Sequence, residues 1–360
     1  MKFQRQTVRV ADALHPRGRT LALKADEVSR HAVRLVVVDR ARNAVRVVPF
    51  GSLPELLRAG DLVIVNDAAT LPASLFGTTA RGEPFELRLS APIAGSRLYG
   101  VVLGDGDYHT RTEDRPAPPR IAVGDRLRVA AIDVVVEQVA GRRVTLIAAL
   151  PGDELWQQIY TAGVAVQYAH RTEQLPLYAV QTAYAARPWA VEMPSAGRAL
   201  TWDVLLGLRR AGVQIATLTH AAGLSSTGDE ALDRALPWPE RYELPAATLD
   251  AIRATHERGG RVIAIGTTVV RALESAALEA ETRDEPLQLA AGSGIATLRL
   301  DPRYHPRIID GLVSGLHVPG ESHFELLSSF APRALLVKAI ALAAEHGMSG
   351  HELGDACLVL

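Results

Sequence analysis

Hydrophobic and polar positions change period several times along the chain, and those changes divide it. Leu35–Val38 and Val45–Val48 are apolar runs about a polar turn at Asp39–Asn43, which predicts a hairpin, and Leu53–Arg58 predicts a short helix. Asp61–Asn66 (DLVIVN) is almost continuously apolar, the pattern of a strand buried on both faces. From about Phe76 to Leu150, short β-rich runs follow one another: Phe85–Leu89, Leu98–Leu103, Arg126–Val129, Ile132–Glu137 and Arg143–Ala148. A polar loop at Asp105–Pro119 interrupts them but no helical periodicity does, so a small antiparallel barrel or sandwich is expected.

After Pro151 helix and strand patterns alternate. Glu154–Ala162, Thr201–Ala211, Leu249–Arg258, Val269–Thr282 and Arg333–Glu345 read as helices, and Phe324–Ser329 starts another. Val213–Thr219, Arg261–Ile265 and Ile308–Val313 read as strands. The expected fold class is therefore α/β: a mixed-sheet α/β domain built from residues 1–75 and 151–360, carrying an inserted antiparallel β-barrel domain over 76–150.

Composition narrows the chemistry. The chain has 360 residues, 48% of them hydrophobic, which is enough for a large core and roughly two domains. Lys+Arg 39 against Asp+Glu 40 leaves a net charge of −1, so whole-chain charge gives no drive toward nucleic acid or a membrane surface. Only Lys2, Lys24 and Lys338 are lysines, which argues against imine chemistry. Cys357 is the one cysteine and has no partner for an intramolecular disulfide or a C-x-x-C site. No run approaches the ~20 apolar residues of a membrane helix, and Met1–Val10 lacks the apolar segment of a signal peptide. A cytoplasmic protein with no membrane partner is expected, and a monomer.

The clearest local motif is Arg261–Ser275 (RVIAIGTTVVRALES). A buried strand runs into Gly266, Thr267 and Thr268 can cap the next helix, and the free N–H groups of its first turn suit a carboxylate or phosphate. A plain strand-to-helix turn explains the same residues, and Arg271 and Glu274 can pair on the helix surface. Pro194, Ser195, Ala196 and Gly197 form a small-residue loop, suited to close approach by a flat ligand or to an ordinary turn. His220 and His317 follow two apolar strands. Ligands gather at strand ends of open α/β sheets, where a histidine either moves a proton or serves the structure. His317, His323, His346 and His351 match no metal-ligand spacing, so no metal is expected. Gly223–Gly228 (GLSSTG) is not a hydrolase elbow, no P-loop is present, and Gly292–Gly294 lacks the third glycine of a dinucleotide fingerprint.

Several of these stretches together resemble one family. DLVIVN with LPASLFG (Asp61–Gly77), VQTAYAARP (Val180–Pro188), PSAG, RYELP (Arg241–Pro245), RVIAIGTTVVRALESAA (Arg261–Ala277), IIDGLVSGLHVP (Ile308–Pro319) and GDACLVL (Gly354–Leu360) resemble the S-adenosylmethionine:tRNA ribosyltransferase-isomerase (QueA) family of queuosine biosynthesis. The motifs stand in the family's order across most of the chain. The resemblance implies an α/β domain with an inserted β-barrel. It implies transfer of the ribosyl part of S-adenosylmethionine to a 7-aminomethyl-7-deazaguanine base in tRNA, rearranged to an epoxycyclopentanediol with release of adenine and methionine.

The implied substrates are S-adenosylmethionine and a tRNA anticodon stem-loop. The sulfonium acidifies the adjacent ribose C5′ protons, so a general base can start the reaction with neither metal nor a covalent lysine. On this resemblance Gly266, Thr267, Thr268 and Arg271 would hold an anionic group, PSAG and Tyr184 would border the nucleoside, and His220 or His317 would be the proton shuttle. Departures cluster at the ligand loops. Where the family has A-P-T-A-G-L-H-F, this chain has Met193-Pro194-Ser195-Ala196-Gly197-Arg198. The family's L-H-V-G-x-G-T-F becomes Thr219-His220-Ala221-Ala222-Gly223, and T-N-F-H-L-P becomes Ser314-Gly315-Leu316-His317-Val318-Pro319. The alternative is a paralogue on the same scaffold with a non-tRNA acceptor. A basic face drawn from Arg40, Arg42, Arg142, Arg143, Arg209, Arg210, Arg258 and Arg261 would favour tRNA, although such pairs also solvate surfaces.

Overall fold

The computed structural model describes residues 29–169, 173–281, 289–350 and 353–360. Lys2, Lys24 and His351 lie outside the described residues. In chain order the strands are β1 (Arg34–Asp39), β2 (Ala44–Pro49), β3 (Leu62–Asn66), β4 (Ala68–Thr70), β5 (Ser74–Thr79), β6 (Pro84–Leu89), β7 (Arg97–Leu103), β8 (Arg126–Val129), β9 (Ile132–Ala140), β10 (Arg143–Ala148), β11 (Arg187–Ala190), β12 (Gln214–His220), β13 (Glu240–Leu244), β14 (Val262–Ile265), β15 (Gly292–Ala296), β16 (Gly311–Gly315) and β17 (Ala356–Val359). Nine of them form one mixed sheet in the order β15-β13-β12-β3-β14-β16-β17-β1-β2. β12, β3, β14 and β16 run parallel at its centre, so four carboxyl ends lie side by side.

β3 shows why that centre is continuously apolar. Leu62 and Ile64 pack on one face with Leu273 and Leu336, whereas Val63 and Val65 pack on the other with Leu205 and Leu208. Helices cover both faces, so each alternate side chain finds a dry layer. Burying one such aliphatic side chain contributes about 1.5–3 kcal/mol. β14 repeats the division, with Val262 and Ala264 against one layer and Ile263 and Ile265 against the other.

The strands from Ser74 to Ala148 close into an antiparallel barrel, β10-β7-β6-β5-β8-β9. Its interior, including Leu87, Val101, Val134 and Leu146, also packs with Leu155 and Ile159 of the helix Gly152–Ala162. The α/β class with an antiparallel barrel is thus the observed architecture.

Three expected elements move. The strand read over Ile308–Val313 begins only at Gly311, because the Glu274 carboxylate takes the N–H groups of Ile308 and Ile309 at 3.0 and 3.1 Å. The helix Leu53–Leu56 is shorter than expected, since Leu57 turns to extended backbone. The helix expected at Val269 starts earlier, over Thr267–Glu281, which puts both threonines in its first turn rather than before it.

Candidate active site at the carboxyl edge of the sheet

Asn66 ends β3 and ties the central strands together. Its Nδ2 donates to the His220 carbonyl at 3.0 Å and to Thr268 Oγ1 at 3.3 Å. Its Oδ1 accepts the N–H groups of His220 at 2.9 Å and Ala68 at 3.1 Å. The amide is buried, and without it the His220 N–H would be stranded away from water. Gly266 follows β14 at φ +92, a conformation that suits glycine, and its N–H bonds to the Val313 carbonyl at 2.8 Å. This fixes the helix Thr267–Glu281 with its N-terminus at the strand ends. Its first-turn N–H groups lack intrahelical partners and carry the positive end of the helix dipole.

The small-residue loop lies over the same edge. Ser195–Gly197 is a single 3-10 turn, and Ser195, Ala196 and Gly315 line one cavity of about 20 Å³, room for a water and not for a nucleoside. A side chain at Gly197 would collide with the Tyr184 hydroxyl, which explains the glycine. Burial, with help from the nearby Asp67 carboxylate, pushes the Tyr184 phenol well above its ordinary pKa. Asp67 itself accepts from Thr219 Oγ1 at 2.6 Å, while its carbonyl takes the Ala186 N–H at 2.8 Å.

Below this surface sits a trio formed by Arg271, Glu240 and His220. Arg271 is buried and donates to Glu240 and to the carbonyls of Trp238 and Ala296, the last two at 3.0 Å. Arg271 and Glu274 therefore do not pair on a helix surface as their spacing suggested. Glu274 turns instead to the Tyr304 hydroxyl at 2.9 Å and to the Arg307 N–H at 2.9 Å. Burial, and then the charge of Arg299, lowers Arg271 to about 10. Glu240 also accepts the Gly223 N–H at 2.6 Å and stands 3.4 Å from His220 Nε2. His220 has no exposed surface, and neither ring nitrogen makes a hydrogen bond. Burial, reinforced by Arg271, lowers it to about 3, so it is neutral at physiological pH.

His317 is in a different situation. Its ring is partly exposed, with Nδ1 3.3 Å from Glu321 Oε2, and it stacks on His323 with ring centroids 4.6 Å apart. A Cβ built on Gly315 would lie 3.4 Å from His317 Nε2, so the ring folds back toward the end of β16. Burial first, and then the charge of His317, lowers His323 to about 3. Arg271 opposes protonation of both His220 and His323. His346 caps a helix end on the Leu342 carbonyl at 2.9 Å, and no group of three metal-ligating side chains occurs among the described residues.

The structure thus brings Gly266, Thr267, Thr268, the Pro194–Gly197 loop, Tyr184, His220 and His317 to one edge, with Arg271 beneath it. Asn66, Asp67 and Glu240 belong to the same constellation and were not singled out in the sequence. The only signal was position, just past an apolar strand for the first two and within RYELP's flank for the third. A second cavity of about 380 Å³ opens at the barrel, lined by Phe76, Phe85, Asp105 and Arg128, and shares no residue with this edge. Size favours the barrel, but the convergent polar groups and the shifted pKa values favour the sheet edge, and chemistry decides between them. Among the candidate arginines, Arg42, Arg142 and Arg261 are paired with Asp39, Asp229 and Asp61.

Residues 19–359 match the family described as "Queuosine biosynthesis protein". The chain belongs to that family. Family relatives named S-adenosylmethionine:tRNA ribosyltransferase-isomerase include one from Trichlorobacter lovleyi, 32% identical over 339 residues covering 92% of this chain and 94% of the relative. Another from Gloeobacter violaceus is 33% identical, covering 95% and 93%, and one from Synechococcus elongatus is 34% identical, covering 94% and 92%. A solved S-adenosylmethionine tRNA ribosyltransferase from Thermotoga maritima aligns at 22% identity with a TM-score of 0.47, covering 92% of this chain and 94% of that one. Family membership accords with the resemblance carried by the DLVIVN strand, the GTT turn, the PSAG loop and the IIDGLVSGLHVP stretch. Among the described residues no helix is long and apolar enough to cross a membrane.

Proposed function

We propose that this chain is an S-adenosylmethionine:tRNA ribosyltransferase-isomerase, which transfers the ribosyl moiety of S-adenosylmethionine to 7-aminomethyl-7-deazaguanine in tRNA to give epoxyqueuosine. The observation that carries this is the end-to-end match to relatives of that name, over more than nine-tenths of each chain in the three cases above. A shared fold alone would not carry it, because function follows the site. A paralogue with a non-tRNA acceptor is not favoured, since the relatives above all carry the name of the tRNA enzyme.

Residues 1–75 and 151–360 are assigned the chemistry, with 76–150 as an inserted unit. The N-terminus of the helix Thr267–Glu281 holds an anion, the methionine carboxylate or a tRNA phosphate, and Arg271 behind it, paired with Glu240, fixes the helix against β13. The Pro194–Gly197 loop and Tyr184 border the nucleoside. The loop must shift to admit it, because the present cavity of about 20 Å³ is smaller than a nucleoside. His317 is assigned the proton transfer: its ring is reachable and Glu321 orients Nδ1. His220 is assigned a positioning role, because a sealed imidazole held neutral gains a proton only at a cost of several pKa units. Asp67, half-buried at the same edge, is a carboxylate suited to the acceptor's ammonium group. The substrate's sulfonium supplies the acidity at C5′, so the protein's task is to orient the ribose, receive the proton and exclude water.

The test is adenine release from S-adenosylmethionine, followed by chromatography, with and without tRNA bearing the aminomethyl base. Release that depends on the tRNA supports the proposal. Release without any tRNA points to the paralogue instead.

A further inference from the structure

Immediately beside His220, two strands build a stacked cationic surface that the site described above does not use. Trp189 of β11 packs on a small patch of Ala68, Ala190 and Ala222. The Arg241 guanidinium lies over its indole, 4.2 Å from the ring centroid, and Arg187 approaches at 5.8 Å. Arg241 is anchored by its backbone, whose carbonyl accepts the Ala221 N–H at 2.8 Å, one residue past His220. Alternation along β13 explains the arrangement. Glu240 and Tyr242 turn inward toward the trio and the core, leaving Arg241 and Glu243 on the opposite face. Arg187 is neutralised there by Glu243 at 2.6 Å, whereas Arg241 is exposed and has no carboxylate partner among the described residues.

We propose that Trp189 and Arg241 form the docking surface for an unpaired loop of RNA at the mouth of the site. A base stacks on the guanidinium–indole pair and a neighbouring phosphate is met by the uncompensated charge of Arg241. Unpaired bases find such flat cationic and aromatic planes, whereas a duplex keeps its bases inside. The pairing of Arg187 with Glu243 holds the second guanidinium in place without adding net charge, so one phosphate is the natural complement. This inference rests on the reading that the acceptor base lies in tRNA, and it adds which surface holds the loop while the base enters the sheet edge.

The test measures binding of a fluorescent anticodon stem-loop RNA to the full chain by anisotropy across a salt series, with S-adenosylmethionine binding followed by calorimetry. Arg241→Ala is expected to weaken RNA binding about tenfold and to reduce the salt slope by about one. Arg241→Lys should restore the slope but not the affinity, and Trp189→Phe should bind better than Trp189→Ala. S-adenosylmethionine affinity should be unchanged in all four. Wild-type RNA affinity and slope in both Arg241→Ala and Trp189→Ala would overturn the proposal, and so would parallel loss of S-adenosylmethionine binding, which would make the pair a part of the fold. A wild-type chain with no affinity for the stem-loop overturns the tRNA reading, and this surface with it.

Discussion

The side chain of Asn66 and the backbone of His220 exchange two hydrogen bonds, Nδ2 to the carbonyl at 3.0 Å and the N–H to Oδ1 at 2.9 Å. Because Asn66 also reaches Thr268 Oγ1 at 3.3 Å, one buried amide sets the spacing of three elements at the site. Asn66→Ala would strand the His220 N–H in a dry layer, at about 1–3 kcal/mol, while the His220 carbonyl keeps the Ala222 N–H at 2.9 Å. Chemical denaturation should show a loss in that range, and turnover should fall at temperatures where the variant is still folded. Full turnover with wild-type stability would deny Asn66 this role.

The two strand-end histidines are separable. His317→Ala is expected to lower the rate of adenine release by about a hundredfold or more with little change in S-adenosylmethionine affinity, the size of effect a general acid–base group supplies. His220→Gln should act mainly on stability and on apparent affinity. If both variants keep full turnover, neither histidine carries the proton.

Acid should unfold the protein before its carboxylates titrate. His220 and His323 are held near 3 in the folded chain, against an ordinary value of 6.5. Depressed pKa values mean that the unfolded state takes up protons the folded state refuses. The stability they contribute is therefore intact above pH 6.5 and is lost as pH falls below it. Each histidine should contribute a slope of about 1.4 kcal/mol per pH unit between roughly pH 6 and 4. Urea titrations at pH 7.5, 6 and 5 would show this, and His323→Gln should remove about half the slope. A flat profile in the parent chain would contradict the neutral state of both rings in the folded chain.

The barrel depends on a buried ion cluster. Glu86 accepts from Ser74 Oγ at 2.6 Å, from Arg88 Nε at 2.8 Å and from Arg115, and all three charged side chains are almost completely enclosed. Burial works against the Glu86 charge, but the two guanidinium groups hold its pKa below the ordinary value. Glu86→Gln would leave two enclosed cations facing a neutral group. The expected loss is about 3–5 kcal/mol in a denaturation experiment. A loss below about 1 kcal/mol would mean that water reaches the cluster, contrary to its enclosure.

Much of the fold was legible because burial imposes period. The apolar run at β3 and the spaced short strands from β6 to β10 announce a buried central strand and a barrel, and the helix Arg333–Glu345 falls where its pattern places it. Elements specified by distant partners were harder to see. β15 is glycine-rich and forms only because β13 offers it a ladder, and β17 inserts between β1 and β16 through contacts more than 40 residues away in sequence. The site followed the same rule. The GTT turn and PSAG loop are local and could be read. Glu240 could not, because its meaning lies in Arg271, 31 residues further on, and in His220, which precedes it by 20. The exposed or buried state of a strand-end histidine is likewise invisible until the neighbouring strands are in place.

The central claim is most directly tested by mass spectrometry of the tRNA itself. Full-length protein is incubated with S-adenosylmethionine and tRNA carrying 7-aminomethyl-7-deazaguanine, and the tRNA is then digested to nucleosides. The expected result is conversion of the aminomethyl nucleoside to epoxyqueuosine, with equal amounts of free adenine and methionine. An unchanged nucleoside in the presence of intact S-adenosylmethionine would contradict the assigned activity.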